Sequence, residues 1–331
     1  MSLRATILAV VGWLVLRGPG LALGDDSIIP PNTAVAGQNP GQPAPPADDN
    51  SGSPFPTPIG DGSLVFEALP QTQLWRVPMA NPREPRCYAK LTSLNDRPVI
   101  DTAIGAVFGL ARVGPADHPL EGVELGVFAA AFTRFLGEGH PIPGDDREAL
   151  PLTAIDYRAG LPLMIAVGDW QMKISYEHTS CHLGDEYMLL DYNYGLHTGS
   201  DVAVRADRDE AVVGLARFFG EAVRLYGQCG YSFSYSDTLV GKTPIRYDWG
   251  LEYSPPVPRW GGPFAAFDMD LCGEQDFCPN ITFQTGWQWK SNQNRRSSAR
   301  IGVEYYDGYS PFGQFYDQRE SSWGAIMIYE W

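Results

Sequence analysis

Polar and apolar residues alternate one by one along much of the chain after Cys87. Ile281, Phe283, Thr285, Trp287 and Trp289 alternate with Thr282, Gln284, Gly286, Gln288 and Lys290. Ala299, Ile301, Val303 and Tyr305 alternate with Arg300, Gly302, Glu304 and Tyr306, and Ile245, Tyr247, Trp249, Leu251 and Tyr253 with Arg246, Asp248, Gly250 and Glu252. Similar runs start at Ile155 and Val223, with less regular ones near 87–94, 102–112, 122–135, 168–181, 208–219 and 263–272. The last run, 322–331, ends the chain on Trp331. Side chains of a strand point to opposite faces with period two, so each run reads as a strand with one greasy and one polar row. Membrane-crossing strands need roughly 9–11 residues, which these runs supply. The pattern predicts an all-β fold: a single antiparallel up-and-down transmembrane barrel of about twelve strands over 86–331.

Alternation alone leaves open which row faces out, because a soluble barrel alternates too. Here the polar rows carry a full set of charges, among them Arg158, Lys173, Glu177, Arg224, Arg246, Asp248, Arg300 and Glu304, while the apolar rows carry the aromatics. A Lys or Arg facing lipid costs roughly 2–4 kcal/mol at mid-bilayer, so Lys290 and Arg300 turn their rows inward. Arg217 breaks the rule, sharing a row with Val213 and Leu215. It must either snorkel from the strand end or point inward. Long connections near 136–151, 182–207, 236–244, 272–280 and 307–321 alternate with short turns at 166–169 and 220–221, the asymmetry of an outer-membrane barrel. The stretch 255–262 is longer than its place among the short turns requires.

Charged residues are only 19% of the chain and aromatics 12%, and the net charge is −15. That charge excludes nucleic acid as a partner, since phosphates need a basic surface. The same charge argues against a plain anionic-lipid anchor, and the barrel reading makes outer-membrane lipid the expected partner. Residues 1–24 read as a cleaved export signal, with Arg4, an apolar run to Leu16, and small residues at 22–24. Residues 25–63, crowded with Pro, Gly, Asn and Asp, read as a disordered linker. Residues 64–85 are denser in apolar groups and form a periplasmic lead-in that packs beneath or inside the barrel. Together these place the protein in a bacterial outer membrane. Five cysteines leave at least one thiol unpaired, and Cys272 and Cys278 bracket a loop that a disulfide could staple. Their spacing matches no zinc motif, and neither cofactor nor metal is expected.

Three stretches, N-P-R-E-P-R at 81–86, H-T-S-C-H-L-G-D-E-Y at 178–187 and G-Y-S-P-F-G-Q-F-Y at 308–316, resemble an uncharacterised bacterial envelope family, the domain of unknown function twelve-hundred-and-seven. The likeness runs from Leu64 to the end of the chain. Where the family pattern leads one to expect a second Ser, this chain has Cys181. The resemblance implies an outer-membrane barrel and assigns no activity.

Candidate chemistry gathers in the second stretch. His178 and Ser180 share one strand face, at the spacing of a general base and its nucleophile. Asp185, Glu186 or Asp191 could orient the imidazole, while His182, Leu183, Gly184 and Tyr187 complete the motif. A His-x-Ser pair at a barrel rim resembles that of outer-membrane lipid A deacylases. The competing reading has these side chains hydrogen-bond one another to pin a loop. The expected role is therefore binding, structural or a narrow pore, with rim hydrolysis of lipid acyl esters as the alternative.

Overall fold

The computed structural model describes residues 57–59, 63–141, 148–187, 206–291 and 297–330. The expected export signal, most of the linker and Trp331 lie outside them. Twelve antiparallel strands close into a barrel. They are β1 (Cys87–Leu94), β2 (Arg97–Pro115), β3 (Gly122–Leu136), β4 (Leu152–Val167), β5 (Trp170–Leu183) and β6 (Arg208–Phe219). The circuit continues with β7 (Val223–Tyr235), β8 (Ile245–Tyr253), β9 (Gly262–Cys272), β10 (Pro279–Lys290), β11 (Ser298–Tyr309) and β12 (Arg319–Glu330). Each strand pairs with the next, and β12 closes on β1 from Ser322↔Leu94 to Tyr329↔Cys87. Closure removes the sheet edges that would otherwise leave backbone groups unpaired.

The rows face as the charges require. Arg224, Arg300, Glu124, Glu210 and Glu252 are buried, whereas Ile104, Leu161, Val303, Phe233 and Trp323 stand exposed on the outer wall. No helix among the described residues is long and apolar enough to cross a membrane. One end carries short turns at 168–169 and 220–222. The other carries the connections 137–151, 184–207, 236–244 and 310–318. The long stretch at 254–261 on the short-turn end has a physical reason. Lys290 Nζ donates to the Ser254 and Pro255 carbonyls (2.8 and 3.0 Å), and Trp287 Nε1 donates to the Trp260 carbonyl while their rings stack. The stretch is tied to the barrel's edge.

One wall position is built from two pieces. β1 pairs with the upper part of β2, from Leu94↔Arg97 to Tyr88↔Ala103. The short strand Leu64–Ala68 pairs with the lower part of the same edge, from Leu64↔Pro115 to Ala68↔Ala111, and carries a small pairing of its own to Thr57–Ile59. Between the two pieces the chain leaves the wall and runs through the bore. Leu69 marks the departure with a φ of 51°, a left-handed conformation that costs a branched residue energy. Gly109 lies beside it because a Cβ there would collide with the Pro70 ring. The exposed edge of β2 is partly satisfied by Leu69 N–H to the Leu110 carbonyl (3.0 Å) and Gln73 Nε2 to the Val107 carbonyl (3.1 Å).

Candidate functional site

Residues 69–86 contain Pro70, Pro78, Pro82 and Pro85, each without a backbone N–H, and take no helix or strand. Irregular backbone inside a barrel is tolerated only where protein or water satisfies its polar groups. The inward rows do so by charge. Arg112 donates to the Thr72 carbonyl, Arg224 to that of Arg76 and Arg158 to that of Arg83, while within the segment Arg86 donates to the carbonyls of Pro78 and Met79. In the opposite sense the N–H of Leu74 donates to Glu124, that of Arg76 to Gln171 and that of Met79 to Glu252 (3.2, 3.2 and 2.6 Å). Carbonyls meet guanidinium groups and amides meet carboxylates or an amide oxygen. The mixed signs of the polar rows thus have a local cause.

Apolar contacts anchor the same segment. Leu74 and Trp75 join Met164, Ala166, Ala216 and Tyr226 in a buried cluster, and Met79 and Ala80 join Phe264 and Ala266. Lys173 and Arg224 stand 5.6 and 5.0 Å from the Trp75 ring. Gly214 leaves room for that ring, which would lie 2.9 Å from an added Cβ. Asn81 Nδ2 donates to Asp248 (2.7 Å), and Gln228 Nε2 donates to Glu84 (3.1 Å). Cavities of about 20 and 10 Å³ remain between this plug and the wall, space on the scale of single waters.

Glu84 Oε1 lies 3.9 Å from Lys173 Nζ, and both side chains are nearly buried. Glu84→Gln removes the negative charge from that pair and is expected to lower stability at neutral pH, which denaturant titration reads directly.

The connection 310–318 closes the bore at the long-loop end. Phe312 packs with Ala103, Ala130, Phe132 and Ala154, and Gln314 Nε2 donates to the Cys181 carbonyl (3.1 Å). Gly313 N–H donates to Asp156 (2.9 Å), and a Cβ at Gly313 would strike the Cys181 sulfur. Tyr187 meets Phe315 edge to face, and the larger cavity lies between 81–83 and 309–311. Parts of the three motif stretches therefore meet in the upper bore, the second through Cys181. Cys181 packs there as a buried thiol. Cys272 and Cys278 are not joined: all five cysteines are free, and Cys272 Sγ turns inward to Asp270 (3.1 Å).

His178, Ser180 and His182 follow the outward row of β5 beyond Tyr176, at the long-loop end of the wall. Ser180 Oγ and His182 Nε2 are 2.9 Å apart, and the His182 ring meets Tyr157 edge-on at 5.8 Å. His178 Nδ1 instead lies 2.8 Å from Asp209 Oδ1, which also accepts the Tyr176 hydroxyl (2.7 Å). Ser180 is thus bonded to His182 and not to His178. The carboxylate beside His178 comes from β6, whose Asp209 is its register partner. Asp185 and Glu186 are exposed just past β5 and hold neither imidazole, and Asp191 lies outside the described residues. Leu183 ends the strand, and Gly184 is buried, its N–H donating to the Thr153 carbonyl at 3.0 Å. Asp209 was not legible beforehand because pairing across the intervening connection 184–207 is a matter of register.

A closed barrel with an apolar outer wall, a charged bore and its own chain as filling defines an outer-membrane-type β-barrel. The chain belongs to the family described as Protein of unknown function (DUF1207), whose model matches residues 34–331. No curated protein matches it. Among solved structures it is similar to outer membrane phospholipase A from Escherichia coli, at 10% identity and a TM-score of 0.49, covering 74% of this chain and 93% of that one. The Salmonella typhi phospholipase dimer with bound calcium gives 12% identity and a TM-score of 0.48, over 77% of this chain and 94% of that one. The KdgM porin gives 5% and 0.38, over 73% and 97%. At such identities and scores nothing about activity follows.

Proposed function

We propose that this protein sits in a bacterial outer membrane as a filled, non-conducting barrel, serving as a structural or binding element at its surface rather than as a pore. The observation that carries this reading is the occupied bore. Residues 69–86 hold hydrogen bonds to β2, β3, β4, β5, β7 and β8, and the 310–318 connection lies over the long-loop end. The exposed aliphatic and aromatic wall supports the lipid placement, since a soluble protein does not leave so large an apolar surface in water. Purified protein in planar bilayers is expected to give no conductance steps. Discrete, reproducible openings by the intact chain would contradict the reading.

The Ser180–His182 contact favours a second reading, rim hydrolysis of a lipid acyl ester. Ser180 Oγ attacks the acyl carbonyl as His182 Nε2 takes its proton. The alcohol leaves with that proton, and water then releases the acyl group from the serine. The pair stands beside Tyr157 and past Tyr176 on the outward face, and on this reading at the depth where acyl esters meet headgroups. On this reading Ser180→Ala abolishes hydrolysis of a phospholipid ester, and His182→Ala lowers its rate by about 10²-fold or more. Equal turnover by wild type and both variants would remove it.

A further inference from the structure

Arg217 is the exception on the outer wall. Val213, Leu215, Arg217 and Phe219 form one outward row of β6, and Arg217 stands opposite Trp170 of β5 at the short-turn end. Its guanidinium lies 5.1 Å from the Trp170 ring and 5.0 Å from that of Phe219. Both rings are about half exposed. Among the described residues it meets no carboxylate at ion-pair distance and no hydrogen-bond acceptor, although Asp169 and Glu221 stand in the adjoining turns. Among the described residues the Trp170 indole N–H likewise has no acceptor.

The contrast with the other wall-end charges is informative. On the long-loop side Arg319 is paired with Asp307 at 3.2 Å, and in the bore Arg224 and Arg134 face carboxylates. Arg217 has no such partner among the described residues. A guanidinium at mid-bilayer is costly, and the cost falls to roughly 0–1 kcal/mol near the headgroups, so Arg217 marks that boundary. The aromatic rings hold its plane. Five donors on a planar fork match phosphate oxygens two at a time, and a Trp N–H at headgroup depth supplies another.

We infer that Arg217, Trp170 and Phe219 form a binding site for the phosphodiester of a glycerophospholipid in the leaflet at the short-turn end. The rings and Leu215 contact the upper acyl chain, and Arg217 carries the phosphate. This rests on the membrane placement proposed above and is independent of the rim pair.

Native mass spectrometry of the full chain, released from bilayers holding phosphatidylglycerol or diacylglycerol with the same chains, tests it. The wild type is expected to retain phosphatidylglycerol in preference to diacylglycerol. Arg217→Gln is expected to weaken phosphatidylglycerol retention by about tenfold or more, leaving diacylglycerol retention unchanged. Arg217→Lys, which keeps the charge but not the fork, falls between. The gel mobility of the unheated barrel shows that each variant is folded and inserted. A folded, inserted Arg217→Gln with wild-type lipid preference overturns the site. Failure of the wild type itself to enter bilayers overturns the placement instead.

Discussion

Replacing residues 69–86 with a flexible Gly/Ser linker turns a silent barrel into a conducting one. The wall does not need the plug to remain paired. Lys90–Glu304, Arg134–Asp101, Arg134–Glu320 and Arg158–Glu177 are contacts between wall residues, at 2.8, 2.8, 2.6 and 2.6 Å, and they stay when the segment goes. What disappears is the filling: Leu74, Trp75, Met79 and Ala80, all nearly inaccessible, together with the backbone that the bore's guanidinium groups grip. Twelve strands enclose more space than the eight whose side chains simply fill a barrel, so the vacated volume takes water. Planar-bilayer recordings of the two chains side by side are expected to show steps only from the variant. An equally silent variant would mean that the 310–318 connection and the wall side chains close the bore without the plug.

Glu252→Ala is expected to destabilise the barrel by about 3–5 kcal/mol, because it strands a buried cation. Arg224 lies 3.3 Å from Glu252, and both side chains are almost fully buried. Glu252 also accepts the Met79 N–H at 2.6 Å, so one substitution frees the wall's charge and loosens the plug. Arg224→Leu with Glu252→Leu removes both charges. It should recover part of the loss, since an apolar pair can replace an ionic one, while the Arg76 carbonyl remains without its donor. Denaturant unfolding of vesicle-inserted protein gives the comparison. A single variant as stable as wild type would show that water reaches Arg224 and that the bore is wetter than described.

Much of the wall was legible because period-two alternation is a local signal. The run at 87–94 is β1, and the charged row through Arg246, Asp248 and Glu252 faces the bore. Lys290 and Arg300 turned their strands inward for the reason their charge supplies. The plug was only half legible. Leu74, Trp75 and Met79 announced burial, but a segment rich in proline has no period, and its partners lie on wall strands far away in sequence. The contacts at the rim were half legible for a similar reason. His178 and Ser180 were placed on one face correctly, yet which imidazole reaches the hydroxyl depends on rotamers. The carboxylate of Asp209 depends on the register of β6 against β5. Arg217 showed itself as a conflict with its row, and its aromatic neighbours came only with the pairing.

Quenching by lipids brominated on their acyl chains separates wall from bore in one experiment. Two single-tryptophan variants are compared, one keeping Trp249 on the outer face of β8 and one keeping Trp75 in the plug. Trp249 is 41% exposed and Trp75 3%. Bromine is expected to extinguish most of the Trp249 emission and to leave Trp75 bright. Quenched Trp75 beside unquenched Trp249 would turn the barrel inside out and contradict the account at its root.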